Sequence, residues 1–186
     1  MKQVLSFLMV VLLCSGCKGE NQELERMMAF RASLLSGMGC NFQVAITADY
    51  QDELYQFTLD CSCDEQGALS FTVLEPETIS GISGVISGEG GKLTFDNEAA
   101  LAFETLADGQ VTPVTAPWLL VKTLRGGYVT SCTTEDGMMR ISIDDSYEND
   151  ALRLDVWFSD DLPKHAEILW ADRRILSLEV TNFEIL

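Results

Sequence analysis

Apolar residues return at every second position along most of this chain. Leu152, Leu154, Val156 and Phe158 alternate with Arg153, Asp155 and Trp157, and Phe42, Val44 and Ile46 alternate with polar neighbours. A period of two marks strands with one face turned to a core. The same reading puts Tyr55, Phe57, Leu59, Cys61 and Cys63 on the inner face of a strand over 54–63, and Leu69, Phe71 and Val73 on that of a strand over 68–74. Residues 79–95 read as strand, glycine turn and strand, and 96–104 continue the pattern through Leu101 and Phe103. Further strands are expected over 128–132, 138–143, 152–158, 166–171 and 175–183, parted by acidic turns, one of them Asp160 to Pro163. About ten strands is many for an open twisted sheet, which at that size curls or splits.

Two stretches follow the helical period instead. Leu24, Met27, Met28, Ala32, Leu34 and Leu35 recur at helical spacing over 23–36, and Gly37 and Gly39 end the run. The second helix runs from Trp118 to Leu124, with Pro117 just inside its start and Gly126-Gly127 closing it. It is too apolar to lie on the surface, and the place available to it is the face of the sheet. The fold class expected is α+β: a curved antiparallel sheet covered by an N-terminal helix and a short central helix.

The chain begins with a charged start at Lys2, an apolar run from Val4 to Cys14, and the small residues Ser15 and Gly16 before Cys17. This is the layout of a secretory signal peptide. The apolar run is too short to span a bilayer, which takes about 20 residues. Leu13-Cys14-Ser15-Gly16-Cys17 resembles the bacterial lipobox, which implies cleavage before Cys17 and a diacylglycerol on its thiol. The expected organisation is a signal peptide over 1–16, a lipidated tether over 17–22 and one domain over 23–186. The protein would then sit on the extracytoplasmic face of a cell membrane, held by two acyl chains rather than by a protein span.

The formal net charge of −17 repels phosphate backbones, so a nucleic-acid partner is excluded. Past Cys17 four cysteines remain: Cys40, Cys61, Cys63 and Cys132. With a turn centred near Gln51, Cys40 falls beside Cys61 or Cys63 on one face, which makes these three the disulfide candidates, while free buried thiols stay open as the other reading.

No motif identifies a reaction. The one histidine, His165, reads as an exposed turn residue with no nucleophile elbow elsewhere in the chain. The glycines of 79–95 lack the Gly-Lys-Ser/Thr ending of a phosphate loop, and Asp144 to Asp150 lacks the order of a calcium loop. Neither a catalytic residue, a cofactor nor a metal site is expected.

The N-terminal helix, long meander, Ala116-Pro117-Trp118-Leu119-Leu120 helix, Phe71-Thr72-Val73 with Pro76, the Gly84 to Phe95 hairpin, and the endings Ala166 to Trp170 and Leu176 to Phe183 together resemble the LolA/LolB-like group of lipoprotein carriers and related lipoproteins. That resemblance implies an incomplete β-barrel closed by helices, with an apolar cavity that takes acyl chains. It implies a non-catalytic protein that binds a hydrophobic or lipid-like ligand. Phe57, Phe71, Trp118, Leu120, Leu124, Leu154 and Val156 are the residues expected to line the site. A monomer is expected. The alternative is a surface module that meets a protein partner through its acidic loops, its core filled by its own side chains.

Overall fold

The computed structural model describes residues 18–49, 54–87, 92–95 and 106–186. Helix α1 (Lys18–Ser36) leads into a first meander, β1 (Gly39–Asp49), β2 (Leu54–Asp64), β3 (Leu69–Glu75), β4 (Ser83–Ser87) and β5 (Lys92–Phe95). Helix α2 (Ala116–Gly126) then leads into a second, β6 (Tyr128–Glu135), β7 (Met138–Asp144), β8 (Arg153–Ser159), β9 (Leu162–Trp170) and β10 (Arg173–Ile185). All ten strands form one sheet in the order β5-β4-β3-β2-β1-β10-β9-β8-β7-β6, every neighbouring pair antiparallel. Among the described residues, the first and last strands therefore pair at the centre of the sheet, and its edges are β5 and β6.

This order explains why α2 lies where it does. The chain must travel from the β5 edge to the β6 edge, the full width of the sheet, and α2 is on that path. Helix α2 touches both β2 and β7, and α1 touches both β1 and β6. Each of these strand pairs is five interstrand steps apart, about 24 Å if the sheet were flat. A helix about 10 Å across can reach both only if the sheet curls around it. The result is the curved, incomplete barrel expected from the sequence. Bulges between Thr58 and Leu59, Arg174 and Leu176, and Trp157 and Phe158 add local bend. At the second of these the alternation slips, so that Ile175 and Leu176 are both buried.

The core occupies the concave side. Phe30 of α1 meets Phe158 edge-on at 5.1 Å and Phe183 at 5.9 Å, and Phe183 stacks on Phe42 at 5.4 Å. These rings join α1, β1, β8 and β10, and each buried aromatic contributes about 1.5–3 kcal/mol through burial.

Several expectations need correction. Helix α1 begins at Lys18, not Glu23, and buries Met27, Phe30 and Leu34 while Leu24, Met28 and Leu35 stay exposed. Tyr55, expected inside, is 47% exposed, because the β2 alternation turns inward only from Phe57. Leu162 and Pro163 belong to β9, the turn being held by Asp160 and Asp161 in the left-handed region (φ 52° and 61°). The readings at Leu101, Phe103 and Cys17 lie outside the described residues.

Candidate ligand-binding region

Helix α2 is positioned by directional bonds at both ends. Thr112 and Thr115 form a reciprocal capping box just before it, with Pro113 between them. The Trp118 indole N–H donates to the Gly67 carbonyl at 3.1 Å, and the Arg125 guanidinium donates to the carbonyls of Asp64 (3.1 Å) and Glu65 (2.6 Å). Both contacts tie α2 to the β2–β3 turn. From the other side Arg31 of α1 donates to the carbonyls of Leu124 (2.8 Å) and Gly127 (3.0 Å), satisfying acceptors that a helix end leaves open. Burial draws the Arg31 guanidinium below its ordinary pKa, a sign of how far it is withdrawn from water.

The seven residues expected at the apolar site all face the concave side or its helix. Phe57, Phe71, Leu120, Leu124, Leu154 and Val156 are buried, and Trp118 packs against them half-buried. They fall into two groups. Phe57 and Phe71 sit on β2 and β3, and Leu154 and Val156 on β8, with β1, β10 and β9 between. Leu120 and Leu124 enter the same continuous core from α2.

On the convex side, where β1, β2 and β3 meet the Pro76 turn, the surface carries a solvent-open hollow of about 770 Å³. Its walls are the outward-facing Ala45, Thr47, Gln56, Thr58 and Leu74 with Pro76, and Glu75, Glu77 and Glu179 make it acidic, while the Ile46 and Phe57 side chains are buried on the opposite, concave side. Its volume suits a small organic ligand. Of the expected site only Phe57 reaches its lining, and the Phe57 side chain is buried on the concave side behind it.

The convex side carries a polar row read straight across five strands: Thr133, Arg140, Trp157, His165 and Glu179 are successive cross-strand partners. The Arg140 guanidinium lies 4.9 Å from the Trp157 ring, and the His165 ring stands 5.0 Å from the same indole. His165 Nδ1 is 2.7 Å from Glu179 Oε1, so His165 is a half-buried strand residue and not the exposed turn residue expected. Beside the row, Asp155 is 4% exposed although its alternation points outward. It accepts from Arg140 and Ser142, both at 2.6 Å, which satisfies a carboxylate withdrawn from water. The Asp155 hydrogen bond, first among the causes, holds the Arg140 pKa above its usual value.

Cys40, Cys61, Cys63 and Cys132 are buried thiols in this structure. Cys40 is the direct partner of Cys63 across β1 and β2, whereas Cys61 faces Phe42 and Phe71. Among the described residues no group of three or more His, Cys, Asp or Glu is placed to hold a metal ion, and no helix is long and apolar enough to cross a membrane.

Sequence reasoning missed Arg31, Arg125 and Asp155. Arg31 interrupts the α1 pattern as any surface cation would, and its bonds to α2 depend on partners about ninety positions away. Asp155 sits in an alternation that assigns it to solvent, and nothing local signals its burial.

No protein-family model and no curated protein matches the chain. Solved structures do resemble it. A LolA superfamily protein from Nitrosomonas europaea is 10% identical, with 88% of this chain and 93% of that one covered at a TM-score of 0.47. A DUF1329 family protein from Desulfovibrio piger is 7% identical over 89% of this chain and 92% of that one, at a TM-score of 0.43. MucB is 9% identical over 90% of this chain and 60% of its own, also at 0.43. The LolA-like resemblance read from the sequence therefore has a LolA superfamily protein among the structural neighbours of this chain.

Proposed function

We propose that this chain is a lipid-anchored extracytoplasmic protein that holds a hydrophobic or lipid-like ligand between its curved sheet and its helices, without catalysis. One observation carries the reading. The sheet curls around α2 so that a single apolar surface runs from Phe57 to Val156 on the concave side, beneath a helix whose ends are held by a few directional bonds. A ligand lodges between α2 and the sheet, its own apolar surface replacing contacts that α2 makes there. The anchor is Cys17, on the lipobox-like pattern of the sequence.

A fluorescent fatty acid tests the ligand. Titrated into the soluble form starting at Lys18, it should saturate at one per chain. Leu120→Glu should abolish that signal while the far-ultraviolet strand spectrum is kept. Saturation by the variant equal to the parent would remove the site from α2. The anchor is tested separately, since Cys17→Ser should move the protein from the membrane fraction to the soluble one.

A second reading, a protein-interaction module, is favoured by the burial of the expected residues in one core and by the polar row on the convex face. Loss of a partner on Trp157→Ala, with fatty-acid binding absent throughout, would select it.

A further inference from the structure

We propose that Cys40 and Cys63 become joined by a cross-strand disulfide when the chain folds in an oxidising compartment, closing β1 onto β2 beside the seat of α2.

The register selects this pair. Residues directly opposite in an antiparallel ladder have Cα atoms about 4.5–5.5 Å apart, inside the span a disulfide accepts. Cys40 stands opposite Cys63. Cys61 is two positions further along β2, a diagonal neighbour of Cys40 at about 7–8 Å, beyond that span. Cys132 is on β6, at the far edge of the sheet. Both side chains of the pair are buried on the same concave face, Cys40 at 1% and Cys63 at 2% exposure.

Chemistry supports the same choice. The neighbouring Cys40 thiol, with the nearby Arg125 charge, holds Cys63 below the ordinary thiol pKa. Cys40 is raised by the same neighbour and by burial, and Cys61 chiefly by burial. Cys63 is therefore the thiolate that attacks. Its sulfur opens the disulfide of a small-molecule or protein oxidant, releasing one oxidant sulfur as thiolate and leaving a mixed disulfide. Cys40 then loses its proton and attacks the Cys63 sulfur, expelling the second oxidant sulfur. Two electrons pass to the oxidant, which leaves as two thiols. The bridge bears on α2, because Arg125 grips the carbonyl of Asp64, the residue after Cys63.

The proposal rests on the extracytoplasmic reading for its setting, so the test removes that dependence. The full chain, purified in detergent from whichever cell fraction holds it, is refolded from denaturant in a glutathione redox buffer. Free thiols are then alkylated under denaturing conditions, and peptides are mapped. The expected result is a Cys40–Cys63 link, a loss of about 2 Da, with Cys61 and Cys132 alkylated. Cys61→Ser should keep the link and Cys63→Ser should lose it. Should either variant fail to accumulate, fragmentation of the linked parent peptide assigns the sulfur. Four alkylated thiols in the oxidising buffer, or a link through Cys61 or Cys132, would overturn the proposal. Comparing the chain taken directly from the envelope tells failure of the setting from failure of the pair.

Discussion

The two helices that plug the half-barrel are held in different ways. Helix α1 is fixed by packing: Met27, Phe30 and Leu34 are buried among the rings of Phe42, Phe158 and Phe183, while its outer flank stays exposed at Leu24, Met28 and Leu35. Helix α2 buries seven of its residues, yet its position is set at its ends by Trp118, Arg125 and the incoming Arg31. Packing spread over many contacts gives way only by unfolding. Directional bonds at two ends can be released one at a time, and a bound apolar ligand can replace the contacts that a shifted helix leaves. Under the proposed function, α2 is the element that would admit a ligand and α1 the one that holds the barrel together.

Substitutions separate the two roles. Phe30→Ala removes the ring that joins α1 to β8 and β10, and should cost about 3–5 kcal/mol in denaturant unfolding. If it costs under about 1 kcal/mol, α1 is not the structural plug. Arg31→Ala leaves the α2 carbonyls at Leu124 and Gly127 without their charged donor, and a loss of about 1.5–3 kcal/mol is expected. Arg125→Ala should cost only about 1 kcal/mol, since the guanidinium is partly solvated. It should nonetheless speed uptake of the fluorescent fatty acid in stopped flow by freeing α2 from the β2–β3 turn. Unchanged uptake would mean that α2 does not move on entry. Met28→Glu, on the exposed flank of α1, should change stability by no more than about 0.5 kcal/mol and leave uptake unaltered.

Most of the architecture was legible in the sequence because alternation is a local signal. Leu154, Val156 and Phe158 declare a buried face without reference to the rest of the chain, and Pro117 with Gly126 and Gly127 brackets α2. What depends on distant partners was not. Asp155 reads as solvent-facing until Arg140 and Ser142 are brought beside it, and His165 as a turn residue until β10 supplies Glu179. Alternation also names a wall without saying what fills the space behind it. Phe57 and Leu154 are both buried, and their pattern is the same whether α2 or a ligand packs against them.

Native mass spectrometry with lipid extraction, on the soluble form starting at Lys18 expressed in a bacterial host, tests the central claim most directly. A carrier-like protein should retain about one lipid-like molecule per chain, or take one up on challenge with fatty acid and phospholipid. A chain that flies at its apo mass and accepts nothing on challenge has a core complete without a ligand, which would contradict the account.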